Sequence, residues 1–298
     1  MSNHNWDALV EELNNLKALP LSYSKMNTLF NCPLRYQHQY IEKSERGIPK
    51  VKEPAVVGKL IHNIFETCVN RGNTFGFEDD VVDFNRVWAS ICKQTPLTGK
   101  EYDMAQDQKI HAHKVYKRMV EILKKQKFTS IPELQVICTK DLRVVRQAKW
   151  PARLLFGYID YFGISPKGTK ALVIDYKTHK KTDDNAETVD VQTRIYGFLI
   201  MLMFPTIQTL KIGAAYIPDE LVEAPVTFTR ENIGQYESYV FDILCKYRDA
   251  LVTANSIGFE PITSKNCDWC NFHTKCPLMI AKAEKKAARK AKADAKKG

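Results

Sequence analysis

Residues 153–177 have the sequence RLLFGYIDYFGISPKGTKALVIDYK, and the fold prediction starts from the strand patterns in this stretch. In its first part, FGYIDYFGI, apolar side chains alternate with others, which predicts a strand with one buried face. Residues 165–168, SPKG, predict a turn, and the following ALVIDYK predicts a strand that is apolar until its last residues. We therefore expect two neighbouring strands joined by a short connection.

Two acids and a lysine lie on these strands. Asp175 and Lys177 are two residues apart, so their side chains leave the same face of the second strand. Antiparallel pairing would bring Asp160, in the first strand, close to Asp175. Two carboxylates at one edge repel each other, which favours a bound cation such as Mg²⁺ or Mn²⁺. The alternative is an Asp175–Lys177 ion pair with Asp160 solvated, but buried acids without partners are costly.

The rest of the chain alternates between helical and strand patterns. Helices are predicted over residues 6–18, 21–43 with a break before Pro33, 55–70, most of 80–127, 187–203 and 230–255. Further strands are predicted over residues 133–145 and 210–217. This order predicts an α/β fold, in which a mixed central β-sheet is flanked by helices and carries a helical insertion over about residues 72–130.

Composition limits the class of protein. The chain has 298 residues, of which 44% are apolar, so it can bury a large core. No apolar run reaches the roughly 18 residues of a membrane helix. The polar start, MSNHNWDALVEELNN, argues against a signal peptide. We therefore expect a protein of the reducing cytoplasm, in which cysteines are thiols or metal ligands.

The net charge of +10 suggests a polyanionic partner, but its distribution weakens the suggestion. The tail, residues 281–298, has seven Lys and one Arg against two acids and so carries +6, which leaves +4 on the body. We expect this tail to be disordered, or a solvated and partly helical extension. It could add affinity by neutralising phosphates.

Four of the eight cysteines form a pattern. Cys32 lies near the start of the chain, and Cys267, Cys270 and Cys276 follow some 235 residues later with the spacing C-x₂-C-x₅-C. Four thiolates can bind either a tetrahedral Zn²⁺ or an iron–sulfur cluster. A usual zinc ribbon has two paired knuckles, whereas one partner here is isolated. The other four, Cys68, Cys92, Cys138 and Cys245, are predicted to be small buried side chains.

Taken in order, the motifs resemble those of the PD-(D/E)XK nucleases. Gly157–Asp160, GYID, and Ile174–Lys177, IDYK, resemble the two halves of the motif that names the superfamily. Gly58–His62, GKLIH, resembles the helical Gly-x-x-x-His element of the RecB-like branch, and Gln192–Tyr196, QTRIY, resembles its Gln-x-x-x-Tyr element. Four ordered elements are far more specific than any one alone, and they imply a restriction-endonuclease-like fold.

The resemblance implies a role for each matching residue. Four protein ligands would hold a divalent metal: His62, Asp160, Asp175 and the backbone carbonyl of Tyr176. The catalytic set would consist of Asp160, Asp175, Lys177, Gln192 and Tyr196, with Lys177 as the catalytic lysine. Gln192 and Tyr196, one helical turn apart, would position the DNA strand or the lysine. Glu133 matches a further acid that some members carry.

The cysteine pattern resembles the iron–sulfur staple of RecB-like nucleases such as the AddB nuclease domain and the CRISPR-adaptation nucleases. In these proteins one cysteine precedes the nuclease core and three follow it. The resemblance implies a structural [4Fe–4S] cluster on Cys32, Cys267, Cys270 and Cys276, which would tie the terminal helices to the core. His273, within the segment, is expected to be a loop residue.

The domain organisation expected from these motifs has three parts: an N-terminal helix over residues 1–20, a nuclease domain over residues 21–280 and the basic tail over residues 281–298. The resemblance implies a metal-dependent DNA exonuclease that favours single-stranded ends and serves DNA repair or recombination in a bacterial or phage-infected cell. It leaves room for a helicase or recombination partner. No motif for recognising a particular DNA sequence is evident.

Two other functions stay open. A catalytically inactive DNA-binding or assembly protein could use the same fold, and a cluster-bearing redox protein could use the same cysteines. Basic and aromatic residues also interleave near Cys32, where they could guide a single strand or form the core of a helix pair. They are Tyr23, Lys25, Phe30, Arg35, Tyr36 and Tyr40.

Overall fold

The computed structural model describes residues 4–47, 52–75 and 83–294. The chain divides into two compact units. Residues 1–23 and 53–243 form the first, called the sheet unit, and residues 24–52 and 244–298 form the second, called the cysteine unit. The stretch 21–280, which the sequence presents as one domain, is therefore shared between them.

A six-stranded mixed sheet organises the sheet unit. Its strands are β1 (Thr129–Thr139), β2 (Val144–Val145), β3 (Arg153–Ile164), β4 (Lys170–Lys177), β5 (Thr209–Tyr216) and β6 (Leu221–Thr229). They lie in the order β2-β1-β3-β4-β5-β6, and only the β4–β5 pair is parallel. A parallel pair needs a long crossover, which a helix between β4 and β5 supplies.

The helices follow the predicted order. In the described residues they are α1 (Trp6–Asn15), α2 (Tyr23–Asn31), α3 (Pro33–Tyr36), α4 (Glu53–Phe75), α5 (Phe84–Gln94), α6 (Gly99–Gln126), α7 (Asp183–Met203), α8 (Ile233–Ile257) and α9 (Pro277–Asp294). Short 3-10 or π-helical segments occupy Gln37–Ile41, Trp150–Ala152, Arg230–Asn232 and Lys265–Trp269. None of these helices combines the length and apolar character needed to cross a membrane.

Local signals explain where α6 begins and ends. Thr98 and Glu101 form a reciprocal capping box, in which each side chain accepts a hydrogen bond from the other residue's backbone N–H. The helix ends at Lys127, whose backbone is left-handed with a φ of +53°. The chain then turns directly into β1, while α6 itself packs against α4 and β6.

Helices cover both faces of the sheet. On one face, α4, α5 and α6 pack against the sheet and form a core with it. This core contains the helical residues Ile61, Phe65, Trp88 and Met119 and the strand residue Ile174. On the other face, α7 buries its apolar side, and Phe162 of β3 stacks on Phe204 with ring centroids 4.9 Å apart. The predicted α/β class with a mixed sheet flanked by helices is confirmed. The helices of the predicted insertion, residues 72–130, pack into this same core.

Strand β6 was not predicted from the sequence. It is an edge strand, and most of its residues are only partly buried, so it lacks the strong apolar alternation of β3. It also contains Pro225, and edge strands tolerate proline because one side of their backbone has no pairing partner.

The tail differs from the expectation of disorder. Residues 281–294 belong to α9, while residues 295–298 lie outside the described part of the chain. Ala and Lys dominate this segment, and both are strong helix formers. Residues 281–289 are exposed, so Lys282, Lys285 and Lys286 extend into solvent.

Gly213 is predicted to be essential for the β5–β6 pairing, whose register shifts beside it. A Cβ at this position would lie 1.7 Å from the carbonyl oxygen of Glu223, so Gly213→Ala forces backbone to move. We expect the free energy of unfolding to fall by at least about 2 kcal/mol in urea denaturation.

The matched control is Gly234→Ala in α8, because a Cβ there meets no atom within 4 Å. This variant should keep or slightly raise the stability, by roughly 0.5 to 1 kcal/mol. Equal stability of the two variants would contradict the assigned strand register.

Candidate active site

The β3–β4 hairpin brings the two predicted acids to the point where the pairing of these two central strands ends. The strands pair antiparallel up to Tyr161 and Ile174. One residue earlier in β3, the Asp160 carboxylate takes over the pairing, because its Oδ2 accepts a hydrogen bond of 2.7 Å from the Tyr176 N–H. This bond joins the ends of the two strands and holds a buried carboxylate beside β4.

His62 reaches this carboxylate from helix α4. Its Nδ1 lies 3.3 Å from Asp160 Oδ1, and its Nε2 lies 3.2 Å from the carbonyl oxygen of Tyr176. Both neighbours are hydrogen-bond acceptors, so an imidazolium, with two N–H donors, fits between them. Burial by itself lowers the pKa of His62, but the hydrogen bond to Asp160 and the nearby carboxylate charges outweigh it and raise the pKa above its usual value.

Glu133 completes a group of three potential metal ligands. One ligand atom from each of His62, Glu133 and Asp160 lies within 4.8 Å of the others. Two ligands bound at about 2.1 Å to Mg²⁺ lie roughly 3 to 4 Å apart, so small adjustments would let the group share one ion. Burial, followed by the charge of Asp160, raises the pKa of Glu133.

The backbone at Glu133 is unusual. Its φ of +50° is left-handed, and the β1–β3 register passes from Pro132 to Leu134 without giving it a partner. Such a conformation costs a non-glycine residue about 1 to 2 kcal/mol. The register is the same on both sides of this point, since Pro132 pairs with Tyr161 and Leu134 with Ile159, so Glu133 lies opposite Asp160. The left-handed backbone therefore accompanies the approach of Glu133 to His62 and Asp160, an arrangement that the surrounding sequence could not indicate.

Beside this group lies a polar network centred on Gln192 of α7. Gln192 Nε2 donates to Asp175 Oδ1 at 3.2 Å and to Tyr196 Oη at 3.3 Å. Its Oε1 accepts from Lys177 Nζ at 3.3 Å, and Lys177 also forms an ion pair with Asp175. The amide therefore links the acid, the lysine and the tyrosine of the predicted catalytic set.

Asp175 takes a different place from Asp160. It lies outside the close group of three ligands, and its carboxylate is turned toward Lys177 and Gln192. Burial raises its pKa, while the Lys177 charge opposes that rise. An additional cation near Asp175 would further favour its ionised form.

Gly157 provides the space for Tyr196. A Cβ at position 157 would lie 2.5 Å from the Tyr196 ring, so any larger residue would displace the tyrosine. Tyr196 is 8% exposed, and its hydroxyl is the one that Gln192 contacts. The glycine of the GYID motif thus has a packing role toward the QTRIY motif.

The four patterned cysteines lie around one pocket of the cysteine unit. Cys32, Cys267, Cys270 and Cys276 all line one pocket, together with His273 and several apolar residues. Backbone N–H groups of Ser264 and Phe272 donate to the sulfurs of Cys267 and Cys270, each at 3.4 Å. In the described residues these sulfurs do not form a group as tight as that of His62, Glu133 and Asp160.

The interleaved residues near Cys32 do not form one aromatic surface. Tyr36 is 2% exposed and belongs to the core of the cysteine unit, where its hydroxyl is hydrogen-bonded to that of Tyr247. Arg35 lines the cysteine pocket, and Phe30 is exposed with its ring edge against Tyr247. The core interpretation is therefore correct for Tyr36.

Both a family model and several solved structures match this chain. A family model described as the PD-(D/E)XK nuclease superfamily matches residues 20–277. A crystal structure of a protein from Eubacterium rectale, described as a "putative exonuclease", is similar with a TM-score of 0.44 and 12% sequence identity. That similarity covers 91% of this chain and 92% of the other. No curated protein sequence matches the chain.

Binding of Mn²⁺ at the three-ligand group is predicted to strengthen as pH rises. His62 must lose its proton to bind a metal, so protons compete with Mn²⁺ for its imidazole. Because the pKa of His62 is raised, this competition extends to pH values above the usual pKa of about 6.5. Release of one proton limits the gain to about tenfold per pH unit. Calorimetric titrations at pH values on both sides of the His62 pKa should show that Mn²⁺ affinity rises with pH below the pKa and levels off above it.

The variant His62→Ala should bind Mn²⁺ more weakly and lose the slope in this range. His111→Ala is the matched control, because His111 contacts Glu220 and is not part of the ligand group. A slope that persists in His62→Ala would show that another group controls metal binding.

Proposed function

The chain belongs to the PD-(D/E)XK nuclease superfamily, and on that premise we propose that it is a metal-dependent DNA exonuclease favouring single-stranded ends. One observation carries the proposal. The group of His62, Glu133 and Asp160 lies beside the Asp175–Lys177 pair, which Gln192 contacts. All of these residues belong to the sheet unit and surround the point where the β3–β4 pairing ends.

The ligand group fits a hard divalent cation. His62, Glu133 and Asp160 would hold the metal, with Asp175 and the Tyr176 carbonyl as its neighbours. Carboxylate oxygens suit Mg²⁺ and Mn²⁺, and burial, followed by the charge of Asp160, raises the pKa of Glu133, an effect that a nearby cation would oppose. When bound, such an ion supplies a more acidic water and stabilises charge that develops on the phosphate.

Lys177 is the residue of this site suited to meet a phosphate. It is largely buried, and its ammonium group is fixed by Asp175 and by the Gln192 amide oxygen. A cation that is already oriented can stabilise negative charge without reorganising during the reaction. Gln192 and Tyr196 therefore act as positioning residues for Lys177.

Support for the substrate comes from the motifs. The GKLIH and QTRIY elements resemble the RecB-like branch, whose members act on DNA ends, and no motif for recognising a particular sequence is evident. The proposal places the enzyme in the cytoplasm of a bacterial or phage-infected cell, in DNA repair or recombination. A helicase there could supply the single strand.

A structural [4Fe–4S] cluster is the second part of the proposal. The lining of the cysteine pocket contains four thiols, two imidazoles and a guanidinium, but no carboxylate. This set of donors suits iron–sulfur or zinc binding and not Mg²⁺. Cys32 and the three C-terminal cysteines would hold the cluster, which would link two distant parts of the chain within the cysteine unit.

Lys177→Met and Asp160→Asn are predicted to lower Mn²⁺-dependent cleavage at least about 100-fold while the protein stays folded. The first change removes the fixed positive charge, and the second removes a charged metal ligand. The assay uses linear single strands labelled at either end, with linear duplex and circular DNA alongside. Lys170→Met, at the exposed start of β4, is the control and should retain activity.

Three outcomes would contradict parts of this proposal. Full activity of both site variants would refute the active-site assignment. Equal degradation of circular and linear DNA would refute exonuclease action. Metal-independent binding to DNA with no product from any end would instead favour an inactive DNA-binding protein on this fold.

Anaerobically purified protein is predicted to contain about four iron atoms and four acid-labile sulfides per chain. Cys32→Ser should lower both contents sharply, because it removes one ligand. Cys92→Ser changes a cysteine outside the pocket and should leave both unchanged. Stoichiometric zinc without sulfide would refute the cluster and favour a zinc site.

A further inference from the structure

The cysteine pocket contains two buried nitrogen atoms that lack partners. Arg35 Nε and His38 Nε2 are both inaccessible to solvent, and neither has a hydrogen-bond partner among the described residues. Both residues line the pocket together with the four cysteines. The Arg35 Nε–H is a permanent donor, and a buried donor without an acceptor is costly, so this side of the pocket is built for an occupant that accepts a hydrogen bond.

Arg35 is tied to the cysteines by the local backbone. Cys32 is the N-terminal cap of α3, and Arg35 follows it by three residues, so both lie on one side of this helical turn. The positive charge of Arg35 also reaches Cys270 from the other end of the chain. Burial raises the pKa of the Cys270 thiol, while the Phe272 N–H and the Arg35 charge lower it.

His38 is held in a fixed orientation at the same pocket. Its Nδ1 lies 2.8 Å from Glu42 Oε2 and 3.2 Å from Ser44 Oγ, and its ring packs against Phe272 at a centroid distance of 5.4 Å. A carboxylate that fixes one ring nitrogen leaves the other directed to the site, as is common around protein-bound metals. Because Nδ1–H donates to the Glu42 carboxylate, the neutral imidazole presents Nε2 as a lone pair, as in a metal-bound histidine, so His38 indicates that the occupant contains a metal ion.

We propose that Arg35 is a positioning residue for a negatively charged metal–thiolate centre and that its Nε–H donates a hydrogen bond to a sulfur of that centre. Four thiolates around a dipositive core carry a net charge of about −2, whether the core is a [4Fe–4S] cluster or Zn²⁺. A guanidinium cannot lose its proton in a protein, so it provides a permanent donor and positive charge. The inference rests on the proposed cluster but concerns a residue that is not one of its ligands.

The test measures how firmly the centre is held. Wild-type protein, Arg35→Gln and Arg35→Lys are loaded with iron and sulfide under anaerobic conditions. A chelator is then added, and the loss of visible absorption measures the rate of iron release. Arg35→Gln removes the charge and the Nε–H donor, so iron should leave at least about tenfold faster. Arg35→Lys keeps the charge without the planar donor and should show a smaller increase.

Arg289→Gln is the matched control. It makes the same change of charge at an exposed position of α9 in the same unit, and it should release iron at the wild-type rate. The midpoint potential gives a second readout. It should become more negative in Arg35→Gln and stay constant in Arg289→Gln, because a lost positive charge disfavours the reduced centre.

The outcomes separate this inference from the proposed cluster. Loaded wild-type protein with iron release equal in all variants would overturn the role of Arg35 and leave the cluster intact. Zinc in place of iron, with faster zinc release from Arg35→Gln, would support Arg35 and overturn the cluster. Wild-type protein that binds neither metal would overturn both. If Arg35→Gln does not fold, as judged by circular dichroism, Arg35→Lys decides, and a rate equal to that of Arg289→Gln overturns the inference.

Discussion

The hydrogen bond from the Tyr176 N–H to Asp160 is the interaction on which the candidate site depends. It lies where the β3–β4 pairing ends, and it replaces a backbone acceptor with a buried carboxylate. The same carboxylate faces His62, so one side chain joins the hairpin to helix α4. Because Asp175 and Lys177 flank Tyr176 in β4, fixing this point of the strand also sets the position of the Asp175–Lys177 pair.

Excess negative charge explains most of the chemistry around that bond. Glu133 of β1 and Asp160 of β3 offer ligand atoms within 4.8 Å of each other, and the imidazole of His62 contacts two acceptors at once. The fold accepts a left-handed residue at Glu133 to bring the third ligand into the group. Strain and repulsion at one place are tolerated when the surrounding structure is well packed and a bound cation offsets the repulsion.

The chain separates two kinds of donor. Hard oxygen ligands and one imidazole lie in the sheet unit, whereas the patterned thiols lie in the cysteine unit without a carboxylate in their pocket. Oxygen donors select hard divalent ions, while thiolates select iron–sulfur clusters or zinc. Under the proposed function, hydrolysis and structural support would use different metals within one chain.

The sequence by itself determined the elements whose periodicity is strong: β3, β4, α4 and α7, together with the order of the motifs that they carry. It missed β6, because an edge strand is only partly buried and its pattern is weak. Only the tertiary structure decided that Glu133 joins the ligand group, that Gln192 links the acid to the lysine and that Arg35 faces the thiols. Those relations depend on a left-handed residue, a crossover helix and residues distant in the chain, and local periodicity carries no information about such contacts.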